Sequence, residues 1–196
     1  MEITTLDKIK KISLRLFNER GYDGTSLKDI FNEIGISAPS FYYYYASKKD
    51  LYVELIKNTY EYNQQYVTDL LGKSRDKSAR GKIYELSKAI VRFVLEHKEE
   101  SNFIFRNSVF PNYEFKEDTE NFTREWRKFY WDKLMLYIEE GQKNGEITKN
   151  SKAEVIGHSY FNLVMGVGYN PKVFSSMKKA DEIGPYFEIF YKGIAA

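Results

Sequence analysis

Three features of this 196-residue chain point to an all-α protein. Apolar residues recur at three- and four-residue steps along most of its length. No apolar–polar alternation of the strand kind survives over a useful stretch. The breaks between periodic segments carry glycine, proline and small capping residues, the punctuation of helix ends. The expected architecture is a small N-terminal group of three helices, residues 1–47, followed by a larger helical part, residues 48–196.

Taken in order, Ile3, Leu6, Ile9, Ile12, Leu16 and Phe17 line one face of a helix over roughly 3–20. Gly21 stands where such a helix ends. Thr25 or Ser26 caps a second helix, with Asp29 three places after Ser26 in a capping-box position, and Leu27, Ile30, Phe31 and Ile34 form its apolar face. Gly35 breaks the chain, Ser37 offers the next cap, and Pro39 is tolerated in the first turn of a short third helix over about 38–45. Ser47 caps a fourth helix expected from 48 to about 71. The polar stretch GKSRDKSARGK, 72–82, reads as a linker. Further helices are expected near 82–97, 100–110, 118–144, 151–168 and 179–194, with bends at Pro111 and Pro171. Glycines at 141–146 and 166–169 mark helix ends or close packing.

Composition removes several classes of function. There is no cysteine, hence no disulfide framework, thiolate metal site or cysteine nucleophile. His97 and His158 are the two histidines and lack metal-ligand spacing. No glycine-rich phosphate loop, nucleophile elbow or paired catalytic carboxylates occur, so catalytic residues, metal and cofactor are all expected to be absent. The start is charged at the wrong intervals for a signal peptide, and no apolar run approaches membrane-spanning length. A cytoplasmic protein with no membrane partner is expected. Net charge is +2 and evenly spread: residues 1–50 hold eight Lys/Arg against seven Asp/Glu, the remainder 22 against 21. Charge alone therefore does not announce a nucleic-acid partner.

The segment GISAPSFYYYYASKKDL (35–51) is more specific. Each helical residue turns the side chain by about 100°, so Tyr42 to Tyr45 cannot all enter one core. Phe41, Tyr44 and Tyr45 share a face that can pack on the first two helices, leaving Tyr42 and Tyr43 to project elsewhere. Two helices joined by a Gly-containing three-residue turn form a helix-turn-helix signature. The second begins with small groups, Ser37-Ala38-Pro39-Ser40, as a helix entering a DNA major groove requires. Backbone N–H groups at the helix starts near Thr25/Ser26 and Ser47/Lys48 are candidates for phosphate, and Lys48 and Lys49 add charge at that edge.

Residues 25–56, TSLKDIFNEIGISAPSFYYYYASKKDLYVELI, resemble the DNA-binding segment of TetR-type bacterial repressors, and the resemblance covers 5–56. It implies that Thr25, Tyr42 and Lys48 lie at phosphate-contacting positions; Ser26 is a DNA-binding candidate through its place at a helix start. The resemblance further implies that Ser37, Ala38, Pro39, Ser40 and Tyr43 approach bases. Tyr44 stays open between core and phosphate. The sequence departs from the family pattern at Phe31, where a small residue is common, at Pro39 for Gly, and at Ala46 for Pro.

The C-terminal part supplies two further candidate groups. Aromatics at Phe105, Phe110, Tyr113, Trp126, Tyr130 and Tyr160 could line a cavity, with Phe115, Phe129, Arg106, Arg124, Arg127, Asn107 and Asn162 as further candidates; core packing explains the same spacing. The segments AEVIGHSYFNLVMGVGY and PYFEIFYKGI are apolar around their circumference, which suggests burial between two copies through Phe161, Val164, Met165, Tyr186, Phe187 and Phe190. The resemblance implies the same dimer interface and a central cavity. The resulting expectation is a ligand-responsive repressor, a homodimer on a near-palindromic double-stranded operator, released by a small hydrophobic or aromatic effector. The alternatives are a DNA-binding protein of this fold without an effector, and a helical ligand-binding module that does not bind DNA.

Overall fold

A computed structural model describes residues 4–73, 78–169 and 177–196. It contains α1 (Thr5–Arg20), α2 (Leu27–Ile34), α3 (Ala38–Tyr42), α4 (Lys48–Gly72), α5 (Ala79–Glu96), α6 (Lys98–Val109), α7 (Lys116–Asn144), α8 (Ala153–Tyr169) and α9 (Gly184–Lys192). Short 3-10 turns span Tyr113–Phe115 and Ala180–Ile183. Among the described residues no strand forms, and Ile147 and Ala195 make one isolated bridge. The expected bend at Pro171, the middle of the polar linker and Ile3 lie outside the described residues.

Local chemistry sets the helix ends. Thr4 and Asp7 close a capping box on α1, and the three hydrogen bonds linking Ser26 and Asp29 close another on α2. The Ser26 hydroxyl and backbone N–H hold the Asp29 carboxyl below its ordinary range. Gly35 ends α2 at a φ of 77°, and its N–H and that of Ile36 both reach Phe31 O. That left-handed position suits glycine because it carries no Cβ. Ser47 caps α4 by accepting from Asp50 N–H at 3.1 Å.

The chain divides into two compact units. The first comprises Met1–Tyr62 with Lys98–Arg124, the second Asn63–His97 with Glu125–Ala196. Helices α4 and α7 contribute to both, so these units do not divide at the boundary of 47 and 48 drawn from sequence.

The first unit is built on Ile9, Leu16, Phe17, Ile30, Phe41 and Leu51, all buried. A cluster of rings extends this core: Tyr52 meets Phe17 and Tyr22 edge-on at 4.9 Å each, and Tyr22 meets Phe115 at 4.5 Å. Perpendicular aromatic pairs at these distances add directional energy to plain burial. The Tyr52 hydroxyl donates to Asn107 Oδ1 at 3.0 Å, which accounts for Asn107 as an internal partner rather than the ligand-facing group expected.

The second unit packs α5, α8, α9 and the later part of α7 around Ile83, Leu86, Leu134, Ile138, Ile156 and Phe187. Gly141 sits in a close contact within it. A Cβ there would lie 2.7 Å from Ala79 Cβ and 2.7 Å from Ile147 Cδ1, so this glycine serves close packing. The chain's end is tied down by Thr148 N–H on Ile194 O at 2.8 Å.

Candidate nucleic-acid interface

Helix α3 is only five residues long, and its brevity sets the exposed surface. Ser37 caps it and Pro39 occupies the first turn. Phe41 is buried, with Phe31 tilted against it at 5.2 Å. Phe31 also touches the Tyr42 ring edge-on at 6.4 Å, so the large residue that departs from the family pattern braces the start of the aromatic run. After Tyr42 the helix does not continue: Tyr44 N–H and Tyr45 N–H both return to Phe41 O, at 2.9 and 3.1 Å.

That turn decides where the tyrosines go. Tyr45 is buried, and its hydroxyl donates to Glu54. Burial, and the nearby Glu54 carboxylate, push the Tyr45 hydroxyl well above its ordinary range. Tyr42, Tyr43 and Tyr44 are 54%, 82% and 39% exposed. The shared face expected for Phe41, Tyr44 and Tyr45 is therefore corrected at Tyr44, because the helical spacing that predicts it stops two residues earlier. Tyr43 and Tyr44 stand perpendicular at 5.0 Å. Ser37, Pro39 and Ser40 are exposed beside them and Ala38 is half-buried, so these candidates share the surface of one short helix.

Thr25 is corrected outright. It is fully buried, its hydroxyl lies 2.8 Å from Gly21 O and 3.2 Å from Leu16 O, and its N–H is spent on Tyr22 O. It holds the turn between α1 and α2 and presents no donor outward. Ser26 is exposed, but its hydroxyl and N–H are committed to Asp29. Lys48 donates to Tyr22 O at 2.9 Å and Thr25 O at 2.8 Å, and its Nζ lies 4.0 Å above the Tyr22 ring. Two of its three N–H bonds are thus spent inside. Lys49 pairs with Asp118 at 2.7 Å. Lys28 is exposed in the first turn of α2.

Sequence reasoning missed the bracing from α6. Arg106 Nη1 donates to Phe17 O and Asn18 O, each at 3.1 Å, at the C-terminal end of α1. Asn18 Nδ2 in turn reaches Glu99 O at 2.9 Å. Arg106 is a clamp on α1 rather than the partner of an anionic ligand. No periodicity in the sequence could have revealed a contact across so many residues.

The aromatic cavity candidates are divided between the two units. Phe105 and Phe110 belong to the first unit, where Phe110 is 70% exposed and hence on the surface; the Tyr113 side chain lies outside what is described. Trp126, Tyr130 and Tyr160 belong to the second. There Trp126 Nε1 and Tyr130 Oη both donate to Asn63 Oδ1, at 2.7 and 2.6 Å. Tyr160 is fully buried with its hydroxyl 3.1 Å from Ser87 Oγ, and burial raises its pKa strongly. Of the expected interface residues, Val164 and Phe187 are buried in the unit's own core and are not available to a partner. Phe161, Met165, Tyr186 and Phe190 are half-buried. Val155 and Ile189 are exposed. Among the described residues no group of His, Asp or Glu could hold a metal, and no helix is long and apolar enough to cross a membrane.

Comparison with known proteins agrees with this arrangement. Residues 11–55 match the family profile of bacterial regulatory proteins, tetR family. The chain is 23% identical over 146 residues to the probable HTH-type transcriptional regulator YttP of Bacillus subtilis, covering 74% of this chain and 69% of that protein. It is 43% identical over 56 residues to the biofilm operon negative transcriptional regulator IcaR of Staphylococcus aureus, 29% of this chain and 30% of that protein. The match thus spans under a third of IcaR. The fold as a whole is similar to that of the ketosteroid transcriptional regulator KstR2 of Mycobacterium tuberculosis, with a TM-score of 0.79 at 16% identity, covering 100% of this chain and 97% of that one. It is also similar to the regulator FadR of Bacillus subtilis in complex with stearoyl-CoA, with a TM-score of 0.75 at 15% identity over 97% of this chain and 100% of that one. The helix-turn-helix segment is thus similar in sequence to the tetR family over residues 11–55, and the whole chain is similar in fold to solved transcriptional regulators.

Proposed function

We propose that the chain is a cytoplasmic repressor that binds a near-palindromic operator as a homodimer and is released by a small hydrophobic or aromatic effector. The observation carrying the DNA reading is the exposed surface of α3, held from behind by buried Phe41 and by the Lys48 clamp on the preceding turn. A short helix offers too few contacts to specify a site alone; two copies reading half-sites about one helical turn apart, ~34–36 Å, supply the rest. Val155 of α8 and Ile189 of α9 are exposed apolar residues suited to a partner copy, alongside half-buried Phe161, Met165, Tyr186 and Phe190. Residues 1–47 carry the DNA-reading surface, and the remainder carries effector binding and dimerisation.

Repression is supported by IcaR, a negative regulator by name, across the matched segment. A hydrophobic effector is supported by the aromatic content of α6 and α7 and by a regulator of like fold, FadR, that is seen in complex with stearoyl-CoA. The internal pairing of Tyr130 and Tyr160 favours, as a second reading, a filled core and no effector. In either case a ligand can shift DNA binding only by its different affinity for two conformers.

The test is selection from a library of random duplexes at stepped salt, followed by release of the selected operator with candidate ligands. Recovery of an inverted repeat, and its loss on adding acyl-CoA or steroid, is the expected result. Sequence-blind retention that vanishes with salt would overturn specific repression. An inverted repeat that no ligand releases would favour the second reading.

A further inference from the structure

The most informative property of the α3 surface is a chemical absence. From Gly35 to Ser47 the sequence holds no Asp, Glu, Lys, Arg, His, Asn or Gln. In the major groove, guanine is read by Arg or Lys on O6 and N7, adenine by Asn or Gln on N6 and N7, and cytosine by a carboxylate on N4. None of these readers is available from α3. The nearest cations do not replace them: Lys48 is spent on Tyr22 O and Thr25 O, and Lys49 on Asp118.

What remains is serine and apolar surface. The two serine hydroxyls are partly engaged with each other, Oγ to Oγ at 3.1 Å, while Ser37 Oγ also accepts the Ser40 N–H. The apolar surface is larger and better placed. Pro39 is exposed, the Ala38 methyl lies beside it, and Tyr43 is 82% exposed with its ring set at right angles to Tyr44. The one base-edge feature that an apolar group recognises in the major groove is the C5-methyl of thymine.

We propose that α3 reads its half-site through thymine methyl groups, so that the base pairs beneath it are A·T-rich and the methyls themselves carry affinity. This rests on the reading of α3 as the groove-entering helix. It leaves Lys28, in α2, for phosphate or a base pair outside the α3 footprint. Ala38 and Pro39 contact methyls near the helix start, and the Tyr43 ring covers one further along. Tyr44 fixes the orientation of that ring.

The experiment uses the full chain and the inverted repeat recovered by selection. Thymines beneath α3 are replaced one at a time by deoxyuridine, which keeps every hydrogen bond and removes only the methyl. Each replacement is expected to weaken binding about threefold to fourfold, the effect of uncovering one buried methyl. Deoxyuridine at thymines outside the half-sites is expected to change nothing. Tyr43→Ala should abolish the thymine–uracil difference at one position and leave it at the others. Since Tyr43 is mostly exposed, this variant tests contact without disturbing the core. Half-sites rich in G·C pairs, or full binding with every half-site thymine replaced, would overturn the proposal while leaving DNA binding intact. Retention of no duplex at all would overturn it together with the reading on which it rests.

Discussion

Lys48 is stacked over Tyr22: its ammonium lies 4.0 Å from the centre of the ring while donating to the Tyr22 carbonyl at 2.9 Å. The same nitrogen reaches Thr25 O, so one side chain from the start of α4 closes the turn that joins α1 to α2.

Lys48→Met keeps most of the stem and deletes this closure. It is expected to lower stability by about 1–3 kcal/mol, since two part-buried carbonyls lose a charged donor. DNA affinity should fall with it, but the slope of log K against log salt should not change. A slope reduced by about one would instead mark Lys48 as a phosphate contact.

Ser13 lies fully buried in α1, and its Oγ has no hydrogen-bond partner among the described residues. Ser13→Ala removes a dehydrated hydroxyl and improves helix propensity. A gain of about 1 kcal/mol is expected in thermal or urea unfolding; a loss would mean that the hydroxyl has a partner.

Gly141→Ala should act in the opposite direction. The new methyl would meet Ala79 Cβ, which moves only with its backbone, and Ile147. Overpacking of about 1–3 kcal/mol outweighs the propensity gain of about 1 kcal/mol. Trimming the neighbour with Ile147→Val should recover part of the loss in a double-mutant cycle.

Alkaline pH should destabilise the first unit through Tyr52. Burial pushes its hydroxyl from 10.0 up to about 12. The folded pKa is raised, so the neutral phenol's contribution is complete below pH 10 and is lost as pH rises towards 12. The loss amounts to roughly 2–3 kcal/mol for a shift of this size. Tyr52→Phe should be less stable at pH 7 by about 1 kcal/mol, yet lose less on titration from pH 9 to 12. Parallel titration curves for both proteins would rule Tyr52 out as the group responsible.

Much of the N-terminal helix order was legible because its punctuation is local. Ser26 with Asp29, Gly21, Gly35, Ser37 and Ser47 act within four residues of themselves and end or start helices where expected. Tyr44 stayed open between core and surface for a local reason as well: α3 is too short for wheel geometry to reach it. The internal contacts of Thr25, Lys48 and Arg106 were not legible for a different reason. Each has a donor that could serve DNA or ligand, and each spends it on a carbonyl that tertiary folding brings close. Val164 and Phe187 show the same limit in the second unit, since an apolar helix does not reveal which stripe its own chain covers.

The grip of Arg106 on the end of α1, with Asn107 beneath Tyr52, sets a condition on transplantation. The helix-turn-helix is not a self-sufficient cassette. A fragment ending at residue 47 would leave Phe17 and Tyr22 without the rings of Tyr52 and Phe115, and the α1 carbonyls without their guanidinium. A chimera that exchanges DNA specificity between regulators should therefore carry residues 98–124 along with the reading head, although they follow it by about a quarter of the chain.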